Sequence, residues 1–248
     1  MRKTYLLLAL SSLFMNFVHA QIDTINAANK TLLVSKLKPS KSTYLVYTTD
    51  SVENKRNVGD IWERIIRFSK RNSTNVVEFD WKWLHNDSLF AHIVSICDAK
   101  TLSPIYHYAD YKSRGVYAFD YHDGFMIPSD TIKNNLAKKK GKTKLDLPVI
   151  SWEEDLELLP LLPIRYTGQK FDIAFFDPNE KMASYHRYEV VGQEKLQLNS
   201  DISVKCWLVK IDYAPGSYAQ FWLSNFSKEV LKMKEFYNGS YRVKVRQY

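Results

Sequence analysis

The sequence predicts a mainly β protein, an antiparallel sheet with one or two short helices. Three observations predict it. Val77, Phe79, Trp81 and Trp83 alternate with Glu78, Asp80 and Lys82, the two-residue period of a strand with one apolar and one polar face. Trp207, Val209, Ile211 and Tyr213 alternate likewise, and Ala214-Pro215-Gly216-Ser217 turns the chain into a returning strand from Tyr218 to Leu223. Helical signals are confined to two short segments after residue 129. Because Cys206-Trp207-Leu208-Val209 is apolar on both faces, the hairpin it opens is expected to be covered on both sides and to sit at the centre of the fold.

The elements follow in order. Arg2 and Lys3 precede a largely apolar run from Tyr5 to Phe17, and Val18-His19-Ala20 then places small or compact residues before Gln21. That is the pattern of a secretory signal peptide over residues 1–20, with a periplasmic or secreted address. The run is shorter than the roughly 20 residues that cross a bilayer, and no later segment reaches that length, so no membrane span is expected. The mature chain of 248 − 20 = 228 residues forms a single β-rich domain over 21–248, or two lobes joined near 134–150. Losing Arg2 and Lys3 lowers the formal charge from +8 by two, to +6. Much of the excess lies in Ala137-Lys138-Lys139-Lys140-Gly141-Lys142-Thr143-Lys144, which has no aromatic residues interleaved for base stacking. It reads as a solvated loop, and no nucleic acid partner is expected.

Residues 21–42 give no clear period. Tyr44 to Tyr47 opens the first strand, and Phe90 to Cys97 follows the Trp-rich strand after the turn His85-Asn86-Asp87-Ser88. Ile105 to Tyr111 and Val116 to Tyr121 pair across Lys112-Ser113-Arg114-Gly115, whose glycine takes the positive φ of a tight turn. Asp130 to Ala137 is expected to be a short helix capped by Ser129. Ser151 and Glu154 have the spacing of a capping box, and Glu153, Glu154 and Asp155 occupy a first turn where the helix dipole favours acids. Pro160 and Pro163 end that segment, with Leu156, Leu159 and Leu162 to bury. Strands return at Phe171, Ile173 and Phe175, at Tyr185 to Val191 and at Leu196 to Leu198. The last strand alternates Tyr241, Val243 and Val245 with Arg242, Lys244 and Arg246. A weak echo links residues 96–121 with 222–245, each reading strand, polar segment, glycine turn, strand.

The series Leu161-Leu162-Pro163, Val191-Gly192-Gln193-Glu194, Cys206-Trp207 and Phe221-Trp222-Leu223-Ser224 resembles the pattern of domain-of-unknown-function family 3108. The resemblance covers residues 150–236 well and the first half loosely. It implies an exported β-rich envelope protein, similar to lipoprotein-carrier half-barrel folds, and it implies no activity. The fold expected is therefore an antiparallel curved sheet or partly open barrel. Asn199-Ser200-Asp201 stands where the family usually has a glycine-containing turn, which leaves that turn's geometry open.

Cys97 and Cys206 are the only cysteines. In an exported chain they either close a disulfide, worth nearly 5 kcal/mol in the chain-entropy model, or serve as small apolar strand residues. The histidines form no HExxH or His-x-His pattern; His107 with Asp110 and His122 with Asp123 are the pairs that strand pairing could bring to a metal, and isolated strand histidines more often pack. No Gly-x-Ser-x-Gly, phosphate loop or other cofactor motif is present, so no metal, cofactor or catalytic residue is assigned. Aromatic residues are abundant, and they either fill a barrel or line a concave apolar cavity. The second alternative makes Trp81, Trp83, Tyr117, Phe119, Trp207 and Trp222 the ligand-binding residues. Asp followed by Ser or Thr and an apolar residue recurs at Thr24, Ser51, Ser88 and Thr131; this resembles an O-glycosylation signal of exported proteins, and it is also ordinary turn chemistry.

Three functions remain open. The leading one is a non-enzymatic protein that binds an apolar or amphipathic small molecule, or an envelope component. An enzyme acting on envelope glycan or lipid and a structural interaction module are the others. An open apolar trough favours the first, facing carboxylates in a cleft the second, and a side-chain-filled barrel the third.

Overall fold

The computed structural model describes residues 22–53, 55–57 and 59–248. The expected signal peptide and its cleavage point lie outside the described residues. Sixteen strands join one sheet. They are β1 (Ile22–Ile25), β2 (Ser40–Asp50), β3 (Asp60–Arg71), β4 (Thr74–His85), β5 (Ser88–Asp98), β6 (Pro104–Tyr111), β7 (Gly115–His122) and β8 (Phe125–Pro128). After these come β9 (Thr143–Lys144), β10 (Ile150–Ser151), β11 (Lys170–Phe176), β12 (Ser184–Gln197), β13 (Ser203–Ala214), β14 (Ser217–Ser224), β15 (Val230–Tyr237) and β16 (Ser240–Gln247).

Local turn chemistry explains why neighbours in sequence are neighbours in space. Asn72-Ser73, Asn86-Asp87, Asp123-Gly124 and Asn238-Gly239 each put two consecutive residues at positive φ, the twist that two-residue hairpins need and that Asn, Asp and Gly tolerate best. Gly115 is at φ +89°, and a Cβ there would also meet Leu136 Cδ1 at 2.7 Å. The sheet is thus two runs of consecutive hairpins, β2 to β9 and β11 to β16, joined where β16 pairs with β2. One of the two echoing segments lies in each run. The middle of the strand order is β2, so the β13–β14 hairpin is not central as expected. Nor is the sheet wholly antiparallel: β1 and β10 pair in parallel with successive stretches of β11.

The sheet curls without closing into a barrel. Its two edges are β9 and the β1–β10 side of β11, and only residues 145–149 connect β9 to β10. That connection can span no more than about 20 Å, which brings the edges near each other. Side chains fill the seam in place of a ladder: Phe119, Met126, Ala137, Val149 and Phe176 form a separate buried cluster there.

The helical segment lies inside the curl. A 3-10 turn (Trp152–Glu154), the single α-helical turn α1 (Asp155–Leu158) and a second 3-10 turn (Leu159–Leu161) place Leu156, Leu158, Leu159, Leu161 and Leu162 in the main core. These leucines pack with inward residues of both strand runs, including Val77, Phe79, Phe171, Phe175, Val209 and Phe221. The segment acts as a plug. The expected capping box does not form: Ser151 makes no cap bond, its Oγ donates to Glu153 Oε2 at 3.2 Å, and Glu154 turns into the core.

Other expectations are corrected. Residues 130–137 are not a helix, because the buried Asn135 side chain bonds the β7 backbone, accepting from Ala118 N at 2.9 Å and donating to Ala118 O at 2.7 Å. Only a 3-10 turn at Leu136–Lys139 follows it. The lysines of the basic run are all exposed, as expected of a solvated loop, and Lys140 Nζ also donates to Pro178 O at 2.7 Å across the seam. Cys97 and Cys206 are both free and buried. Cys97 faces the plug inside the curl and Cys206 packs on the outer face with Trp222 and Leu231, so no disulfide joins them.

Candidate functional site

The interior is charged as well as apolar. Arg64 of β3 is buried against the plug, its Nε donating to Glu157 Oε1 at 2.6 Å and its second amine to Glu153 O at 2.5 Å and to Glu157 Oε2. The guanidinium also stacks 4.8 Å from the centroid of Trp81. Glu154 Oε1 accepts from Cys97 Sγ at 3.2 Å while its Oε2 is buried without a partner. Burial pushes that carboxyl up to about 8, with Glu157 and Glu153 adding to the rise and Cys97 and Arg64 opposing it. The acids that looked like a helix N-terminus are therefore lining an interior, matched to groups on the wall.

The last strand contributes the opposite charge. Lys244 is buried and rests 4.4 Å from the centroid of Trp62, so Arg242, Lys244 and Arg246 share the inward face of β16 and the valines turn outward. Arg242 pairs with Glu235 at 2.5 Å and Arg246 with Glu229 at 2.7 Å.

One arrangement resembles a hydrolytic triad and is not one. Ser95 Oγ lies 3.3 Å and Glu153 Oε2 3.4 Å from His107, but both address Nδ1. A triad needs the nucleophile and the acid on opposite ring nitrogens; with both oxygens against Nδ1, the imidazole is not oriented to take a proton from Ser95 while Glu153 holds its other nitrogen. Asp110 is engaged by Lys112 at 2.5 Å, away from any metal arrangement with His107. His122 and Asp123 are side by side on the surface at 3.3 Å. Among the described residues no group of three or more His, Cys, Asp or Glu side chains is placed to hold a metal ion.

The six aromatic residues proposed from sequence do not form one site. Trp81, Trp83 and Trp207 pack, partly buried, against the main core, where the plug occupies the concave face. Tyr117 and Phe119 belong to the seam and line a cleft of about 110 Å³ with His107, Glu153 and Lys140. Trp222 faces outward: it pairs across from Leu208 while Trp207 pairs with Leu223, and its Nε1 donates to Glu194. Trp207 and Trp222, grouped in one ligand site by the sequence, therefore lie on opposite faces of the sheet. Thr24, Ser51, Ser88 and Thr131 are all exposed, in an edge strand or at turns.

Two larger clefts open at the ends of the curl. The lower one, about 350 Å³, lies where the plug ends and β2 begins; Leu37, Tyr44, Ile66, Leu156 and Leu161 line it with Lys36, Lys38 and Arg246, and its two acids, Glu157 and Glu229, are held by Arg64 and Arg246. Burial, then repulsion from Lys36, holds the nearby Lys228 below its usual range. Beside it, Phe226 is 98% exposed at the β14–β15 turn. The upper cleft, about 630 Å³, is lined by Trp152, Asp155, Asp177, Tyr213, Arg242 and Lys244. Sequence reasoning missed both clefts. Lys36 and Lys38 lie in the arm without a period, and only the Val-Lys-Val-Arg alternation pointed toward β16.

A beta-barrel-like protein of domain of unknown function DUF1849 from Brucella abortus is 13% identical, with a TM-score of 0.49, covering 85% of this chain and 96% of that one. A DUF1329 family protein from Desulfovibrio piger is 8% identical with a TM-score of 0.31, covering 86% and 85%. No curated protein matches the chain. The family model described as "Protein of unknown function (DUF3108)" matches residues 43–246, and the chain belongs to that family.

Proposed function

We propose that this protein is a non-catalytic binder of an anionic amphiphile, acting in the periplasm or outside the cell, and that the ligand sits in the lower cleft. The single observation that carries this is the pairing of apolar walls at Leu37, Ile66, Leu156 and Leu161 with Lys36 and Lys38. Its volume of about 350 Å³ falls within the range of small-molecule sites. The concave aromatic face is taken by the plug, so the ligand's tail meets the plug's lower end and its head meets the lysines.

Each methylene buried should add about 0.8 kcal/mol before immobilisation costs are subtracted. Thermal shifts of the full chain with saturated fatty acids should therefore grow with chain length, and the matching alcohols should shift it less. Lys36→Glu with Lys38→Glu should abolish the difference between acid and alcohol. Absence of a shift with every acid and alcohol would reject the binder and leave a structural interaction module, which the filled interior also suits.

A further inference from the structure

Lys244 is the one inward cation of β16 without a partner. Its side chain is 5% exposed, and among the described residues it makes no hydrogen bond or ion pair; its contact is the ring of Trp62. The charged groups that face it come from four elements: Asp155 of α1, Glu235 of β15, Arg242 of β16 itself and Arg64 of β3. Glu235 is held by Arg242 and Arg64 by Glu157. Asp155 accepts its own helix's Leu156 N–H at 2.7 Å and does not reach the ammonium within ion-pair distance. The ammonium nitrogen is not sealed in the interior but opens onto the upper cleft, where a ligand can reach it.

The upper cleft supplies room for one, since Lys244 lies in its wall with Trp152 and Tyr213. An anion is the simplest completion, but the charge of the cleft opposes it. Asp155, Asp177, Glu180 and Glu235 outnumber Arg242 and Lys244 there, so added negative charge meets a surplus of its own sign. A neutral carbonyl meets no such repulsion. Burial lowers the ammonium to about 8, Arg242 and Arg64 push in the same direction, and Asp155 and Glu235 oppose them. An amine desolvated beside other cations is the form of lysine that attacks carbonyl carbon.

We propose that Lys244 is a carbonyl-capturing amine that forms a reversible imine with an aldehyde whose aromatic body lies against Trp152 and Tyr213. This site is separate from the lower cleft and stands whether or not an amphiphile binds there. The neutral Nζ adds to the carbonyl carbon, and one of its protons passes to the oxygen, giving the carbinolamine. The hydroxyl and the remaining Nζ proton then leave together as water, the proton passing through the solvent of the cleft. Amine plus aldehyde gives imine plus water, with no change of oxidation state.

The test is reductive trapping on the full chain with 4-hydroxybenzaldehyde and cyanoborohydride, read by peptide mapping. At about pH 7.5 Lys244 should be modified at least tenfold faster than the average surface lysine, since a group titrating near 8 is far more often neutral there than one near 10.4. Its rate should rise through a midpoint near 8. The α-amino group titrates in the same range, and its peptide distinguishes it. Lys244→Arg should lose the adduct while surface labelling persists. Because the wild-type map stands alone, a misfolded variant does not blunt the test. Surface lysines labelled with Lys244 untouched, or a Lys244 rate that climbs only near the ordinary lysine range, overturns the proposal.

Discussion

The two walls around the plug are built differently. From β11 to β14 the inward residues are Phe171, Ile173, Phe175, Val190, Val209, Ile211, Ala219 and Phe221, all in the main core. On the opposite side β16, β3 and β5 present Lys244, Arg242, Arg64 and Ser95 between apolar neighbours. The plug matches both: its leucines pack against apolar residues of either wall, and Glu154 and Glu157 turn their carboxylates toward Cys97 and Arg64 of the second. An apolar wall accepts any filler of the right volume, whereas a charged wall accepts only the partner that neutralises it. The charged side therefore fixes where the plug sits, and the apolar side supplies most of what holds it there.

The largest expected effect is a stability minimum near pH 8. Glu154 titrates near 4.3 when unfolded and at about 8 when folded. Between those values the unfolded chain has released a proton that the folded chain keeps, so stability falls as pH rises from about 4 to about 8, in total by something on the order of 5 kcal/mol. Lys244 has the opposite sign. Its folded value of about 8 lies below the unfolded value near 10.4, so its burial cost is fully present below pH 8 and is relieved as pH rises toward about 10. Denaturant midpoints at about pH 5, 8 and 10 should trace the trough, with Glu154→Gln removing the acid limb and Lys244→Met the alkaline one. A flat profile would mean that both groups reach water and that the second wall is wetter than its geometry implies.

Next in size is the buried pair itself. Arg64→Met should cost about 3–5 kcal/mol because it leaves Glu157 buried and uncompensated, and adding Glu157→Leu should restore most of the loss. Phe221→Ala in the other wall should also cost about 3–5 kcal/mol, and no second deletion should restore it. If Glu157→Leu fails to rescue Arg64→Met, the charged wall is holding the plug by packing, as the apolar wall does.

What was legible in the sequence followed the range of the interactions. The alternation of β4 and the turn at Asn86-Asp87 are local, and they predicted the Trp-rich strand and its hairpin correctly. The partly open curl came with the family resemblance. The plug was misread because its acids satisfy a local rule for helix starts, while their partners lie far back in the chain: Cys97 is 57 residues from Glu154 and Arg64 is 93 from Glu157. Alternation on β16 gave two faces without saying which was inside, since the charged face is buried only because the plug carries the opposite charge. The clefts arise where the plug stops short of the ends, a consequence of its length within the curl that no motif records.

The smallest effect tests whether the sheet's faces are independent. Trp207 packs on the main core and Trp222 on the outer cluster with Cys206 and Leu231, although they occupy adjacent strands one pairing step apart. Each change to Ala should destabilise, Trp222→Ala in part by leaving Glu194 without its indole donor. Since the two rings share no packing partners, the double variant should equal the sum of the singles within about 0.5 kcal/mol. A coupling well above 1 kcal/mol or so in the denaturant-melt cycle would mean that removing one ring shifts the strand beneath the other. The outer cluster would then be an extension of the apolar wall and not a separate cover on its back.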